Sequence, residues 1–383
     1  MSYDVIVVGA GIFGSCTAYH CQKRGLRTLL IEKFNTGHLN GSSHGKSRII
    51  RYAHVDPEYI PVVRDSYEQI EELETQTGTK LWQKTSLLWA TSNEEARRIS
   101  AALKKHGCNH EVLEGEQINK RFPQFKFTND YSAIVDPNGG MLFADKWLST
   151  FQNEFVKLGG TIRQNEPVVS FKDDSMPEIE TAKGTYSASK IIFTVGVWIK
   201  QLFPDLPLKI QPESISVCYW KPLNPRFASQ LKPEKFPVFI GSDLSDPEPS
   251  LPWYYALPEM DYPGSIKLCY HSGLPIPSLE HPKTHDKRFI EGPAKYIKDH
   301  LPIINPTPAF VDQCKYTISE DHHYVVGPAP GFRNILVGGC GSGSGFKVAP
   351  GIGRALSEMA AGQKTTVDFS FFSFDRFMKK SHL

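Results

Sequence analysis

Three glycines stand in Gly9-Ala10-Gly11-Ile12-Phe13-Gly14, and an acid, Glu32, follows after seventeen intervening residues. That spacing suits the binding of a dinucleotide. Gly9 permits a tight turn, Gly11 lets a pyrophosphate approach the backbone, and Gly14 allows a helix to pack closely on a strand. The start of that helix offers unpaired N–H groups and a partial positive charge to the pyrophosphate. Glu32 can accept both ribose hydroxyls, and it would repel a 2′-phosphate. The alternative, a glycine-rich turn without a ligand, fits the flanks poorly, because the motif follows the apolar run Asp4 to Val8 and opens a helical stretch. Near the other end, Gly338-Gly339-Cys340-Gly341-Ser342-Gly343 closes the run Ile335-Leu336-Val337. A ligand held from both ends of the chain suits FAD, which is longer than NAD.

Other residues offer charge. The planar fork of an arginine bonds both oxygens of a carboxylate at once, and Arg48 and Arg51 lie close together, with His44 four residues before Arg48. If this stretch is helical, all three share a face. They could be surface charges, but Ile49-Ile50 between the arginines argues for partial burial, where an unpaired guanidinium is costly. Strand alternation over Ile266 to His271 puts Lys267, Cys269 and His271 on one face and Ile266, Leu268 and Tyr270 on the other. Lys267 and His271 would then be roughly 13 Å apart, unless this is merely the exposed face of an edge strand protected by a lysine. Lys347 sits in a glycine-rich turn, as a ligand contact or a solvated loop lysine. Tyr255 is a half-buried sheet tyrosine or a hydrogen-bonding lid. Cys314 taken alone is a small buried hydrophobe.

The elements that must position these residues can be outlined from pattern. Val5 to Val8, Thr28 to Ile31, Lys190 to Gly196 and Asn334 to Gly338 read as buried parallel strands, so the nucleotide domain is discontinuous. Twelve of the 28 prolines lie between Pro204 and Pro263, where they forbid long helices. Ile215 to Trp220, Pro237 to Ile240, Trp253 to Leu257 and Ser265 to His271 predict a mainly antiparallel sheet in a second domain. The 383 residues, 40% hydrophobic and 22% charged, are enough for two to three domains. A net charge of +2 with no basic block makes nucleic acid an unexpected partner. No run is long enough for a membrane helix and no signal peptide opens the chain, so a soluble intracellular protein is expected. Seven cysteines without a Cys-x-x-Cys pair suggest neither a disulfide framework nor a zinc site, and no metal is expected.

Asn40-Gly41-Ser42-Ser43-His44-Gly45-Lys46-Ser47-Arg48-Ile49-Ile50-Arg51, Val217-Cys218-Tyr219-Trp220, Tyr255-Ala256-Leu257-Pro258, Lys267-Leu268-Cys269-Tyr270-His271, Cys314-Lys315-Tyr316-Thr317 and Gly345-Phe346-Lys347 carry a resemblance across nearly the whole chain. The sequence resembles the monomeric sarcosine oxidase family, and especially its peroxisomal branch acting on sarcosine and L-pipecolate. The resemblance implies an α/β fold: an FAD-binding Rossmann-like domain of the glutathione-reductase/D-amino-acid-oxidase type with a second, mainly antiparallel-sheet substrate domain. Residues 1–85, 141–205 and 325–383 would form the first, and 86–140 and 206–324 the second. It further implies FAD bonded covalently through Cys314, with cofactor contacts at Gly9, Gly11, Gly14, Glu32, Ser43, His44, Arg48, Gly343, Gly345 and Lys347. Arg51 and Lys347 would hold the substrate carboxylate, Tyr255 would cover the substrate, Lys267 would activate oxygen, and His271 would be catalytic with it, one of the two meeting the flavin ring and the other the substrate, with Arg48 and His44 beside the flavin. The implied reaction is hydride transfer from a secondary amino acid to flavin, with oxygen reduced to hydrogen peroxide, in a monomer.

The pattern departs from the family at two places. Ser344 stands where Ser-Gly-His-Gly-Phe-Lys has histidine, and Val326-Gly327-Pro328-Ala329-Pro330 lacks the aspartate and histidine of Ile-Asp-x-His-Pro. Oxidation of bulkier N-substituted amino acids, such as saccharopine or fructosyl amino acids, and a non-catalytic dinucleotide-binding protein are therefore the competing expectations. The chain ends Ser381-His382-Leu383, a variant of the Ser-Lys-Leu address read by the peroxisomal import receptor.

Overall fold

The computed structural model describes residues 2–245, 253–276 and 286–378; the terminal Ser381-His382-Leu383 lies outside them. Strand β1 (Ser2–Val8), helix α1 (Ile12–Lys23) and strand β2 (Thr28–Ile31) form the expected βαβ unit, with β1 and β2 parallel. β1 also pairs in parallel with Gly184–Phe193, whose far half pairs in parallel with Ile335–Gly339. These strands belong to one eight-stranded sheet. The continuous apolar run of β1 has a reason here. Val5 and Val7 enter one core with α1, while Ile6 and Val8 enter another on the opposite face, because successive side chains alternate and both faces are covered.

The middle of the chain builds a nine-stranded sheet, antiparallel except where Val238–Gly241 runs parallel to Leu87–Ser92. Ile266–Tyr270 is interior to it, paired on one side with Ile210–Trp220 and on the other with Tyr254–Leu257. The edge-strand alternative for Lys267 is thereby excluded. Ile266 and Leu268 fill the core beneath the sheet, and Lys267 points the other way, only 5% exposed.

A third, three-stranded sheet corrects one expectation. Residues 44–51 are not helical: β3 (Ser47–Ile50) is a strand, antiparallel to Gly140–Phe143, as its β-branched Ile49 and Ile50 favour. His44, Arg48 and Arg51 therefore share no helix face. After β3 the chain turns on the Asp136 carboxylate, which accepts hydrogen bonds from the backbone N–H of Tyr52 (2.7 Å) and Ala53 (3.1 Å). Among the described residues no helix is long and apolar enough to cross a membrane.

Candidate active site

A cavity of about 1510 Å³ begins at the turn between β1 and α1 and passes to the open face of the nine-stranded sheet. At the first end, a Cβ on Gly14 would stand 1.8 Å from the carbonyl oxygen of Gly9, so only glycine lets the helix start this close to the strand. Helix α1 begins at Gly11 without a side-chain cap of its own. Ser43 reaches in from the following loop, its hydroxyl accepting from the Ile12 N–H at 3.0 Å. Glu32 lines the same end, and its carboxylate accepts from the N–H of Ala10 (2.7 Å) and of Phe34 (3.0 Å). It thus ties the glycine turn to β2 and retains further lone pairs for a ligand.

At the other end, strand Ile335–Gly339 gives way to a turn in which Cys340 and Ser342 have left-handed backbones (φ 53° and 41°). Such conformations cost energy and collect at ligand sites. Gly343 belongs to this turn; a Cβ there would come within 2.4 Å of the His271 ring and 2.5 Å of Tyr316, so glycine lets the turn press against both. Gly345 follows it on the cavity wall.

The charged residues converge on this end, by routes that spacing did not reveal. Arg48 turns back, and its guanidinium donates to the carbonyls of Ser42 (2.9 Å), His44 (2.7 Å) and Ser47 (2.8 Å). Cys314 Sγ lies 3.9 Å from that same Ser42 oxygen, which brings the thiol and the guanidinium together. Arg51 is 7% exposed and stacks 4.6 Å above the Trp89 ring, with a hydrogen bond to the Ala53 carbonyl. Lys347, in the short helix Gly345–Val348, is 3% exposed and donates to the Ser344 carbonyl at 2.8 Å, which excludes the solvated-loop alternative. Among the described residues neither Arg51 nor Lys347 is in an ion pair, whereas Lys267 is paired with Asp261 at 3.1 Å. Lys267 thus adds no uncompensated charge to Arg51 and Lys347.

Burial governs the protonation of this group. It lowers the Arg51 guanidinium to about 10, which leaves it charged. It lowers Lys347 well below the usual lysine range, and Arg51 adds to the effect. His271 falls to about 4 through burial and the charges of Lys347 and Arg51. Burial and the same two charges also hold His54 far down. Both imidazoles are neutral at physiological pH. Burial raises the Tyr255 hydroxyl well above its normal range, and Tyr316 and Cys269 engage it.

Sequence comparison matches residues 4–359 to the DAO family, described as FAD dependent oxidoreductase. The chain belongs to this family. It is 53% identical to a putative sarcosine oxidase of Caenorhabditis elegans over 98% of both chains, and 35% identical to peroxisomal sarcosine oxidase of Mus musculus over 100% of this chain and 98% of that one. Its fold matches L-proline dehydrogenase from P. horikoshii with a TM-score of 0.83, at 17% identity and over 99% and 98% of the two chains.

This DAO-family chain is thus an FAD-dependent oxidoreductase of the sarcosine oxidase type. Its residues fit FAD: Gly9, Gly11, the start of α1 with Ser43 over it, and the acid Glu32 at the end of β2 all line the cavity, while Gly14 lets that helix pack close to the β1 turn. Two residues escaped the sequence reading. Asp261 has no motif around it. His54 lines the cavity, and its Nε2 is buried without a hydrogen-bond partner. Its position just past the Arg51 turn was the one available signal. Ser344, in place of the family histidine, supports the Lys347 turn through its carbonyl, and its hydroxyl is 2.7 Å from that of Tyr324.

Proposed function

We propose that the chain is a peroxisomal FAD oxidase of secondary amino acids, acting on sarcosine, other N-methyl amino acids or L-pipecolate. The observation that carries this reading is the pair Arg51 and Lys347, buried on one cavity wall and free of ion pairs among the described residues. A substrate carboxylate supplies the counter-charge they lack. FAD, which Gly9, Gly11, Ser43 and Glu32 would hold, would supply the acceptor for a hydride equivalent from the carbon beside the amine. Arg51 holds the carboxylate through its fork, and Lys347 gains from the same carboxylate the charge that burial withholds. Like-charge repulsion from these cations favours the unprotonated amine that the reaction needs, so no strong base is required. Neutral His271 and Tyr255 wall the substrate without adding charge, and Arg48 and His44 stand at the flavin. Lys267 serves the second half of the cycle, in which oxygen becomes hydrogen peroxide.

The relative named peroxisomal sarcosine oxidase supports a peroxisomal location and import by the peroxisomal receptor. The family resemblance supports a monomer, and the division of the eight- and nine-stranded sheets supports the two-domain partition given above. Anaerobic mixing with sarcosine, N-methyl-L-alanine and L-pipecolate should bleach the flavin. Bleaching only by saccharopine or fructosyl amino acids would move the substrate class to bulkier amines, and no bleaching by any of them would overturn the reading.

Cys314 is the proposed point of covalent attachment, its Sγ beside the Ser42 carbonyl that also accepts from Arg48. Acid-precipitated wild-type protein should stay yellow, and Cys314→Ala should release all of its colour to the supernatant. If wild-type protein also loses its colour, the flavin is not bonded there.

A further inference from the structure

The ion pair of Lys267 has a distinct geometry. Asp261 precedes the strand Ile266–Tyr270, and its Oδ2 stands 3.1 Å from Lys267 Nζ. The same oxygen accepts from the Ser47 hydroxyl, and Ser47 Oγ in turn takes a 2.6 Å hydrogen bond from Lys267 Nζ. The Lys46 N–H donates to the other carboxylate oxygen at 3.3 Å. Three side chains thus close a ring in which the lysine and aspartate side chains are only 6% and 8% exposed. Lys267 and Ser47 line the cavity; Asp261 stands behind them and does not.

We propose that Asp261 is the positioning residue of the oxygen reaction: it keeps the buried Lys267 ammonium charged and, through Ser47, aims it into the cavity. This rests on the reading of Lys267 given above. Converting oxygen to hydrogen peroxide takes two electrons and two protons; a reduced flavin would supply both electrons and one proton, and solvent the other proton. A cation beside the oxygen stabilises the anion formed by the first electron, and it does so most in a water-poor cavity. Without a counter-charge, a lysine this buried loses its proton at a much lower pH.

The other groups facing Lys267 cannot replace Asp261. Tyr219, whose ring lies 5.6 Å from Nζ on the neighbouring strand, has its hydroxyl pushed up by burial. Cys269, next on the same face, has its thiol pushed up to about 11, again by burial first. Asp312, from the strand Phe310–Ser319, is engaged by the Tyr262 hydroxyl at 3.0 Å. Burial would raise the Asp261 carboxyl, but Lys267, Ser47 and the Lys46 N–H outweigh it and hold the group low.

The test uses holoenzyme reduced by dithionite, so that no amine substrate is needed, and follows reoxidation by oxygen from pH 6 to pH 9. Asp261→Asn should stay closest to wild type at pH 6 and fall by about tenfold or more toward pH 9, along a single new ionisation. Asp261→Glu should restore much of the wild-type profile. A second readout is the thermal midpoint of the apoprotein. Asp261→Asn leaves a buried ammonium without its counter-charge, which destabilises the fold at low pH and is relieved as rising pH discharges the group. The midpoint deficit against wild type should therefore narrow from pH 6 to pH 9. A reoxidation profile parallel to wild type, or a deficit independent of pH, overturns the proposal. Equal reoxidation of Lys267→Met and wild type would instead refute the role of Lys267 itself, while the apoprotein measurement still reports the charge pair.

Discussion

Replacing Lys267 with methionine will slow the reaction of the reduced flavin with oxygen by about 10²–10³-fold, the loss typical when one preorganised charge or donor is removed from a buried site. Reduction of the flavin by amine should change far less, because Arg51 and Lys347, not Lys267, are the proposed carboxylate partners. The physical basis is burial: at 5% exposure, on an interior strand, the ammonium acts through little water. Stopped-flow traces of the two half-reactions separate the effects. An oxygen rate unchanged in the variant, or an equal loss in both halves, would show that Lys267 is not the oxygen-facing charge.

Arg51→Gln will lower kcat/KM for a secondary amino acid by about 30- to 5,000-fold, corresponding to roughly 2–5 kcal/mol for losing one member of a buried charged contact. Arg51→Lys will recover only part, because an ammonium cannot supply the fork. The loss should also appear in the binding of a simple carboxylate inhibitor, read from the flavin spectrum under conditions without turnover. A pH effect accompanies it. Burial and Arg51 depress Lys347 in the free protein, and a bound carboxylate favours its protonated form, so binding takes up a proton and carboxylate affinity rises as pH falls. In Arg51→Gln one cause of the depression is gone, so this uptake should move to higher pH. An affinity unchanged by Arg51→Gln would place the carboxylate elsewhere in the cavity.

Much of the frame was legible because it follows from local rules. Gly9, Gly11 and Gly14 sit where a strand must turn into a helix, and the alternation of Ile266 to His271 did divide the strand into a core face and a cavity face. Residues 44–51 show where local rules failed. A three- and four-residue spacing of cations is compatible with a helix face, but Ile49 and Ile50 in a strand beside Gly140–Phe143 bury more favourably. Arg48 then found three carbonyls that no periodicity foretells.

The amino-acid sequence by itself determined the dinucleotide turn, the discontinuous parallel sheet and the residue types offered to the site, since glycine permissiveness and the two-residue strand period act over a few neighbouring residues. Tertiary structure alone decided which charges are compensated. Asp261 is six residues from Lys267 in the chain and Ser47 is 220 away, yet the three form one ring. Arg51 and Lys347, nearly 300 residues apart, face one cavity without an ion pair among the described residues. Coulombic interaction depends on distance through space and on exclusion of water, and neither is encoded in the order of residues.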